Sequence, residues 1–436
     1  MIIEELVADD VRFPTSIQGD GSDAMHQNPD YSCVYVRLKI SGTEIEGHGL
    51  TFTIGRGTEI VLQAVLALRP LVLGTDLTKV FHNEWLSFYR KLTNDGQLRW
   101  IGPEKGAIHL ASAAILNAIW DFWAKLEQKP LWKLLIDLEP EHLIECLDFS
   151  YLSDVLSKQE ALNMLKMNQK FTHQRELEVM STGIPSYTSS CGWTNYDENH
   201  RREMCRQAID DGFRRFKVKV GTGIETDRKR LQVVREEIGL DCLLMVDANQ
   251  RWEVQEAIDD MKQLVDFGIL WIEEPTSPDD ILGHRQIAIE LRPSGIKVAT
   301  GEQCSNRIMF KQFLAHGSMD FCQIDSCRLA SINEILPIIL MAAKFQIPIC
   351  PHAGGVGLCE YVQHLAIWDF IAVSGPNPNR MIEYNSHLTE HFLKPARCWN
   401  GSYQVPKESG YCCEFKSESI EKFSFPNGSY WRKHRE

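Results

Sequence analysis

The chain has 436 residues, with 46 Lys and Arg against 59 Asp and Glu for a net charge of −13, so no extended basic surface for nucleic acid is expected. Its composition, 44% hydrophobic and 24% charged, is that of a globular protein, and its length predicts two or three domains. No apolar run is read as reaching the ~20 residues that span a bilayer, so no membrane partner is expected.

The chain opens on "MIIEELVADD", an acidic stretch with the features of neither a signal peptide nor a transit peptide. Thirteen cysteines are scattered without a CxxC pair, which predicts reduced thiols in an intracellular, cytoplasmic setting and argues against a zinc ribbon or disulfide framework. Three strand-like segments follow one another, "IIEELVADDVRF", "YSCVYVRLKI" and "GHGLTFTIG". Helical periodicity then runs through "TEIVLQAVLALRPLVL", "VFHNEWLSFYRKL" and "GAIHLASAAILNAIWDFWAKL". Strands followed by helices predict an α+β domain over residues 1–135. Residues 136–184 are polar and helical in pattern, a linking or inserted segment.

From about residue 185 short apolar strands alternate with amphipathic helices. The predicted strands are "SYTSSCGW", "FRRFKVKV", "CLLMVDAN", "LWIEEP", "IKVATGE", "FCQIDSC", "IPICPHA" and "RMIEYN". Eight such units predict an α/β fold, a modified (β/α)8-type barrel over 185–390. A doubly wound sheet is the alternative, but no GxGxxG turn follows a first strand. The tail, 391–436, is rich in Tyr, Trp, Pro and charge and is expected to pack back on the N-terminal domain.

Polar residues mark the carboxyl ends of successive strands: Lys217 and Lys219, Asp247, Glu273, Glu302, Asp325, His352 and Glu383. From Lys219 the steps are 28, 26, 29, 23, 27 and 31 residues, each near one β/α unit, which places all of them around one barrel mouth. Any one acid alone reads equally well as a helix N-cap. Three carboxylates converging from Asp247, Glu273 and Glu302 would repel one another unless a cation joins them, and hard oxygen donors suit Mg²⁺. In "WIEEP" Glu274 points to the opposite side of the strand from Glu273. Asn249 shares a face with Asp247 and is a candidate substrate contact.

Lys217 and Lys219, two residues apart, point to the same side of their strand. An edge strand with solvated lysines is the plain alternative. With a metal and a His352–Asp325 pair nearby, the set suits removal of a proton next to a carboxylate: Lys219 as base, Lys217 as the cation that depresses the pKa of Lys219 and steadies the substrate carboxylate. Asp325 would fix the tautomer of His352 and raise its pKa. "HAGGVG" matches no phosphate-loop pattern, and its glycines are expected to allow a tight turn and close backbone approach to the site.

In order and spacing, "KVK", "DAN", "WIEEP", "GE", "ID" and "PHAGG" resemble the enolase superfamily, mandelate racemase-like branch. The stretches "DGSDAMHQNPDYS", "DGQLRWIGPEKG", "DANQRW", "WIEEPTSPDDILGH", "CPHAGGVGLCEYVQHL" and "EYNSHLTEHF" are closest to L-fuconate dehydratases, animal members included. The resemblance implies an N-terminal capping domain completed by the C-terminal tail, a homo-oligomer, and a mitochondrial association like that of animal relatives. It implies that Lys219 takes the C2 proton of L-fuconate and that His352 protonates the departing 3-hydroxyl, giving 2-dehydro-3-deoxy-L-fuconate. Substrate contacts implied are Gly21, Ser22, Asp23, Tyr31, Lys217 and Glu383. Dehydration of another acid sugar, racemisation of a 2-hydroxy acid, and a non-catalytic binding relative are the alternatives.

Overall fold

The computed structural model describes residues 1–434. Three antiparallel strands, β1 (Ile3–Arg12), β2 (Ser32–Ile40) and β3 (Glu46–Thr53), open the chain in the order β1-β2-β3. Helices Thr58–Val72 and Gly106–Leu126 follow, and the second lies on β3, where a Cβ on Gly49 would come within 2.2 Å of the Ala114 carbonyl oxygen. Only glycine permits so close an approach. The segment expected as one helix over 80–92 contains a π-helical turn, Val80–Glu84, before helix Trp85–Thr93.

Helix Gly106–Leu126 corrects the reading of the apolar runs. Its 21 residues are long and apolar enough by length and composition to cross a bilayer, yet the helix is mostly buried inside the protein. It is the core helix on which the sheet and helices Ile332–Lys344 and Leu358–Trp368 converge in one hydrophobic cluster.

The second sheet is built from β4 (Ile184–Thr188), β5 (Arg215–Lys219), β6 (Leu243–Asp247), β7 (Ile269–Glu273), β8 (Lys297–Thr300) and β9 (Phe321–Cys322), parallel neighbours in that order. Residues 348–352 continue it irregularly. The Cys322 N–H donates to the Pro348 carbonyl, the Cys350 N–H to Cys322, and the His352 N–H to Ile324. This segment was expected as a regular strand; Pro348 and Pro351 lack amide donors, so only a bridge forms there. β10 (Ile382–Tyr384) accepts the next place, its Glu383 N–H donating to Pro351 and its residues pairing in parallel with β4. The circuit of backbone bonds thereby closes into a barrel.

Alternation along the strands sorts the side chains. Phe216, Val218 and Val220 pack outward among the surrounding helices, while Tyr187, Met245, Trp271, Ala299, Phe321, Cys350 and Met381 form a separate cluster. In register, Lys217 sits beside Met245, Lys219 beside Asp247, and Asp247 beside Glu273. Lys217 lies over the Tyr187 ring, 5.5 Å from its centre, one layer above that inner cluster.

The last residues return to the first sheet. After the hairpin β11 (Cys398–Trp399) and β12 (Ser402–Tyr403), the Tyr411 N–H donates to Asp121 at 2.6 Å and the Phe415 N–H to the Tyr35 hydroxyl at 3.3 Å. The Phe425 N–H reaches the Asp10 carbonyl at 2.7 Å. All 13 cysteines are free thiols.

Candidate active site

A cavity of about 280 Å³ opens where the carboxyl ends of the barrel strands meet the first sheet and its loops. Its walls include Lys217, Lys219, Asn249, Glu302, Asp325, His352 and Glu383 from the barrel, and Gly21, Asp23 and Tyr31 from the loop between β1 and β2. The strand register accounts for this convergence, since β5, β6 and β7 end level with one another.

Asp247, Glu273 and Glu302 each offer a carboxylate oxygen, and the three oxygens lie within 4.8 Å of one another. None caps a helix: the helix after β6 begins at Val254 behind its own cap, Glu253. Lys217, 1% exposed, contacts Glu273 at 2.6 Å, Glu383 at 3.0 Å and Asp247 at 3.5 Å. Lys219 is more exposed and donates to Asp247 Oδ2 at 2.6 Å. Asn249 donates its backbone N–H to Asp247 Oδ1 at 2.9 Å, with a left-handed φ of 46°. Its Oδ1 is buried and has no hydrogen-bond partner among the described residues. Glu274 turns away and accepts from Gln250.

His352 is held from both sides. Its Nδ1 lies 2.8 Å from Asp325 Oδ2 and its Nε2 3.3 Å from Glu302 Oε2. Asp325 is itself fixed by the backbone N–H groups of Cys327 and Arg328, both at 2.7 Å. A Cβ on Gly354 would sit 3.1 Å from His352 Nε2, so the glycine keeps that nitrogen accessible. Glu383 accepts from the Ala353 N–H at 3.0 Å.

The electrostatics show too little positive charge for the acids present. Burial, joined by Asp247, Glu383 and Glu302, pushes Glu273 up to about 8 in spite of Lys217. Burial would likewise raise Asp247 and Glu383, but the lysines hold Asp247 below its usual range, and Lys217 with His352 does the same for Glu383. Burial disfavours the charged amines, yet carboxylates outweigh it and both Lys217 and Lys219 lie above the usual lysine value. Lys217 does lower Lys219, as expected, but without a cation Asp247 at contact distance outweighs it. Four carboxylates against two lysines, all oxygen donors, fit a divalent cation on Asp247, Glu273 and Glu302.

His352 moves upward to about 9, because Glu302 and Asp325 outweigh the burial that would lower it. In cation-free protein its imidazole is expected to titrate near 9 by NMR, and Asp325→Asn to bring it down toward the ordinary 6.5. Since the folded value lies above the unfolded one, its stabilisation is full below pH 6.5 and lost as pH rises through about 9. A pH melting series in which the parent and Asp325→Asn run parallel through that window would contradict the assignment.

The capping loop departs from expectation at Ser22. Its side chain is buried, donates to the Gly19 carbonyl and accepts from the Asn195 N–H, so it ties the loop to residues 194–195 and is not a cavity wall. Gly21 has a φ of 75°, and a Cβ there would strike the Tyr31 ring at 2.5 Å. The Asp23 carboxylate accepts from the backbone of Met25 and His26 and from His26 Nδ1 at 3.0 Å, which presents His26 to the cavity. His26, Phe52, Trp193, Gln303 and Arg328 also line it and were not anticipated; of these only the Asp23-to-His26 spacing left a trace in the sequence. His364 is buried and accepts from the Trp132 N–H.

The capped barrel with acids, amines and an imidazole at its mouth is the architecture of one class of enzyme. Residues 18–135 match the mandelate racemase / muconate lactonizing enzyme N-terminal domain and residues 200–419 the enolase C-terminal domain-like family. Human mitochondrial enolase superfamily member 1 is 53% identical over 432 residues, 99% of this chain and 97% of that protein. Its crystal structure superposes with a TM-score of 0.98 over 100% of this chain and 98% of its own. The chain belongs to the enolase superfamily. L-galactonate dehydratase of Hypocrea jecorina is 48% identical over 428 residues, 97% of this chain and 94% of that one. L-talarate/galactarate dehydratase of Salmonella typhimurium, solved with Mg and L-lyxarohydroxamate, shares the fold at 22% identity and a TM-score of 0.75, covering 97% of this chain and 93% of its own.

Proposed function

We propose that the protein is an acid-sugar dehydratase, with L-fuconate as substrate and 2-dehydro-3-deoxy-L-fuconate as product. The observation that carries this reading is one cavity lined by an accessible lysine, an Asp-fixed histidine and Glu302, whose carboxylate converges with those of buried Asp247 and Glu273. Full-length likeness to an L-galactonate dehydratase supports the acid-sugar class; L-fuconate itself rests on the resemblance of the sequence motifs.

Asp247, Glu273 and Glu302 would hold Mg²⁺, a reading supported by the Mg in the Salmonella dehydratase. Bound there, Mg²⁺ supplies counter-charge to Asp247 and Glu273 and stabilises negative charge developing on the substrate carboxylate. With the charge of Asp247 taken up by the cation, Lys219 in its neutral form would take the C2 proton, and Lys217, fixed by Glu273 and Glu383, adds positive charge under the substrate carboxylate. Breaking the C2–H bond sends its electron pair into the substrate carboxylate, from which it moves toward C3 as the hydroxyl leaves. His352, in its protonated form, would give a proton to the leaving 3-hydroxyl, so the C3–O bond breaks with release of water. The enol left behind becomes the 2-keto acid. Asp325 keeps the imidazole tautomer and orientation, and Asn249 offers its unpaired Oδ1 to a substrate hydroxyl.

In this reading residues 1–135 and 391–436 form the cap, 136–184 the link and 185–390 the barrel. The names of the animal relatives support a mitochondrial location. The test is a panel of acid sugars with Mg²⁺, scored for 2-keto acid by semicarbazide. Keto acid from L-fuconate ahead of L-galactonate and galactarate is expected. Keto acid from L-galactonate alone would move the substrate assignment, and inversion without keto acid would replace dehydration by racemisation.

A further inference from the structure

One carboxylate of the acidic cluster is gripped more tightly than the others. Glu273 Oε2 accepts from Gln323 Nε2 at 2.7 Å and from Trp271 Nε1 at 3.3 Å, while Oε1 accepts from Lys217 at 2.6 Å. All four side chains are at most 1% exposed. Gln323 leaves β9 with its backbone N–H on the Thr300 carbonyl, so its side chain enters the barrel from two strands beyond Glu273 and spans the gap at β8. Trp271 approaches from two residues earlier on the strand of Glu273 itself.

The amide could pack as a neutral core group, but its geometry argues otherwise. Gln323 Oε1 is buried with no hydrogen-bond partner among the described residues, an arrangement that costs stability. What the side chain does accomplish is to donate to one specific carboxylate oxygen. A carboxylate free to rotate about its last torsion presents its oxygens to many directions. Donors on both oxygens fix the plane and occupy three of its four lone-pair sites, leaving one, on Oε1, for a further partner.

We infer that Gln323, seconded by Trp271, is a positioning residue that fixes the Glu273 carboxylate plane for divalent-cation binding. The inference rests on the assignment of Asp247, Glu273 and Glu302 as the cation site. Partners of this kind commonly govern metal affinity by factors of about 10 to 100.

The experiment titrates the full-length protein with Mn²⁺, following free Mn²⁺ by EPR, for the parent, Gln323→Met and Asp247→Asn. Gln323→Met keeps the volume and removes the donor, and is expected to weaken Mn²⁺ binding between about 10- and 100-fold with near-UV circular dichroism unchanged. The Mg²⁺ concentration for half-maximal turnover should rise by the same factor, while kcat recovers at saturating Mg²⁺. A merely structural role would leave the Mn²⁺ affinity of the folded variant unchanged, and that result overturns the inference. If Gln323→Met fails to fold, Trp271→Phe removes the second donor and keeps a ring; about threefold weaker Mn²⁺ binding is then expected, and unchanged binding overturns the inference. Asp247→Asn separates the two levels: normal Mn²⁺ binding in this variant defeats the cation site itself, whereas weak binding there with normal binding in Gln323→Met defeats only the positioning role.

Discussion

Lys219→Ala is expected to lower kcat by roughly 10⁴-fold, the upper range for loss of a general base, with the fold intact. Of the two inward lysines, Lys217 is 1% exposed and locked to Glu273 and Glu383, whereas Lys219 has only Asp247 as a carboxylate contact and faces the cavity. Its ammonium is the closest partner of buried Asp247, so melting and near-UV circular dichroism of the variant are compared with the parent's to keep loss of turnover apart from loss of fold. Lys219→Arg separates two roles that the structure superimposes. Arginine keeps the positive charge beside Asp247 but does not give up its proton at working pH, so it should be as inactive as alanine. Substantial turnover in Lys219→Arg would show that the residue acts as a charge and not as a base.

The second large effect is expected at Asp247. Asp247→Asn should reduce turnover at least about 100-fold, and chelation of the parent with EDTA should abolish activity until Mg²⁺ is returned. The direction of the electrostatics makes this test specific. Asp247 is the group that holds Lys219 above its ordinary value, so asparagine would make Lys219 easier to deprotonate. Lost activity in Asp247→Asn therefore reports the missing cation ligand and not a spoiled base. Turnover retained in metal-free buffer would contradict the three-carboxylate site.

What the sequence made legible follows from periodicity. A two-residue repeat in "KVK" can only send both amines to one side of a strand, and steps of one β/α unit carry Asp247, Glu273, Glu302, Asp325, His352 and Glu383 to one end of the barrel. The register of β5 with β6 and β7 sets Lys219, Asp247 and Glu273 side by side. Irregular backbone was harder to foresee: prolines at 348 and 351 leave the seventh barrel position with only a bridge. Walls from outside the barrel strands, such as His26, Phe52 and Trp193, depend on how the cap meets the barrel, a geometry that no local pattern encodes. The sign of the shift on Lys219 was also hidden, because spacing along the chain shows that Lys217 and Asp247 are neighbours but not which lies in contact. Gln323 gave no signal, since a single buried amide in "FCQIDSC" has no periodicity to reveal its partner.

The central claim is that Lys219 breaks the C2–H bond and that His352 completes the loss of the 3-hydroxyl. It is tested most directly by incubating L-fuconate and Mg²⁺ in D2O with the parent, Lys219→Ala and His352→Asn, and following C2 by NMR. The account predicts keto acid from the parent, deuterium at C2 of unreacted substrate with His352→Asn, and neither exchange nor keto acid with Lys219→Ala. Exchange at C2 that persists in Lys219→Ala would contradict it.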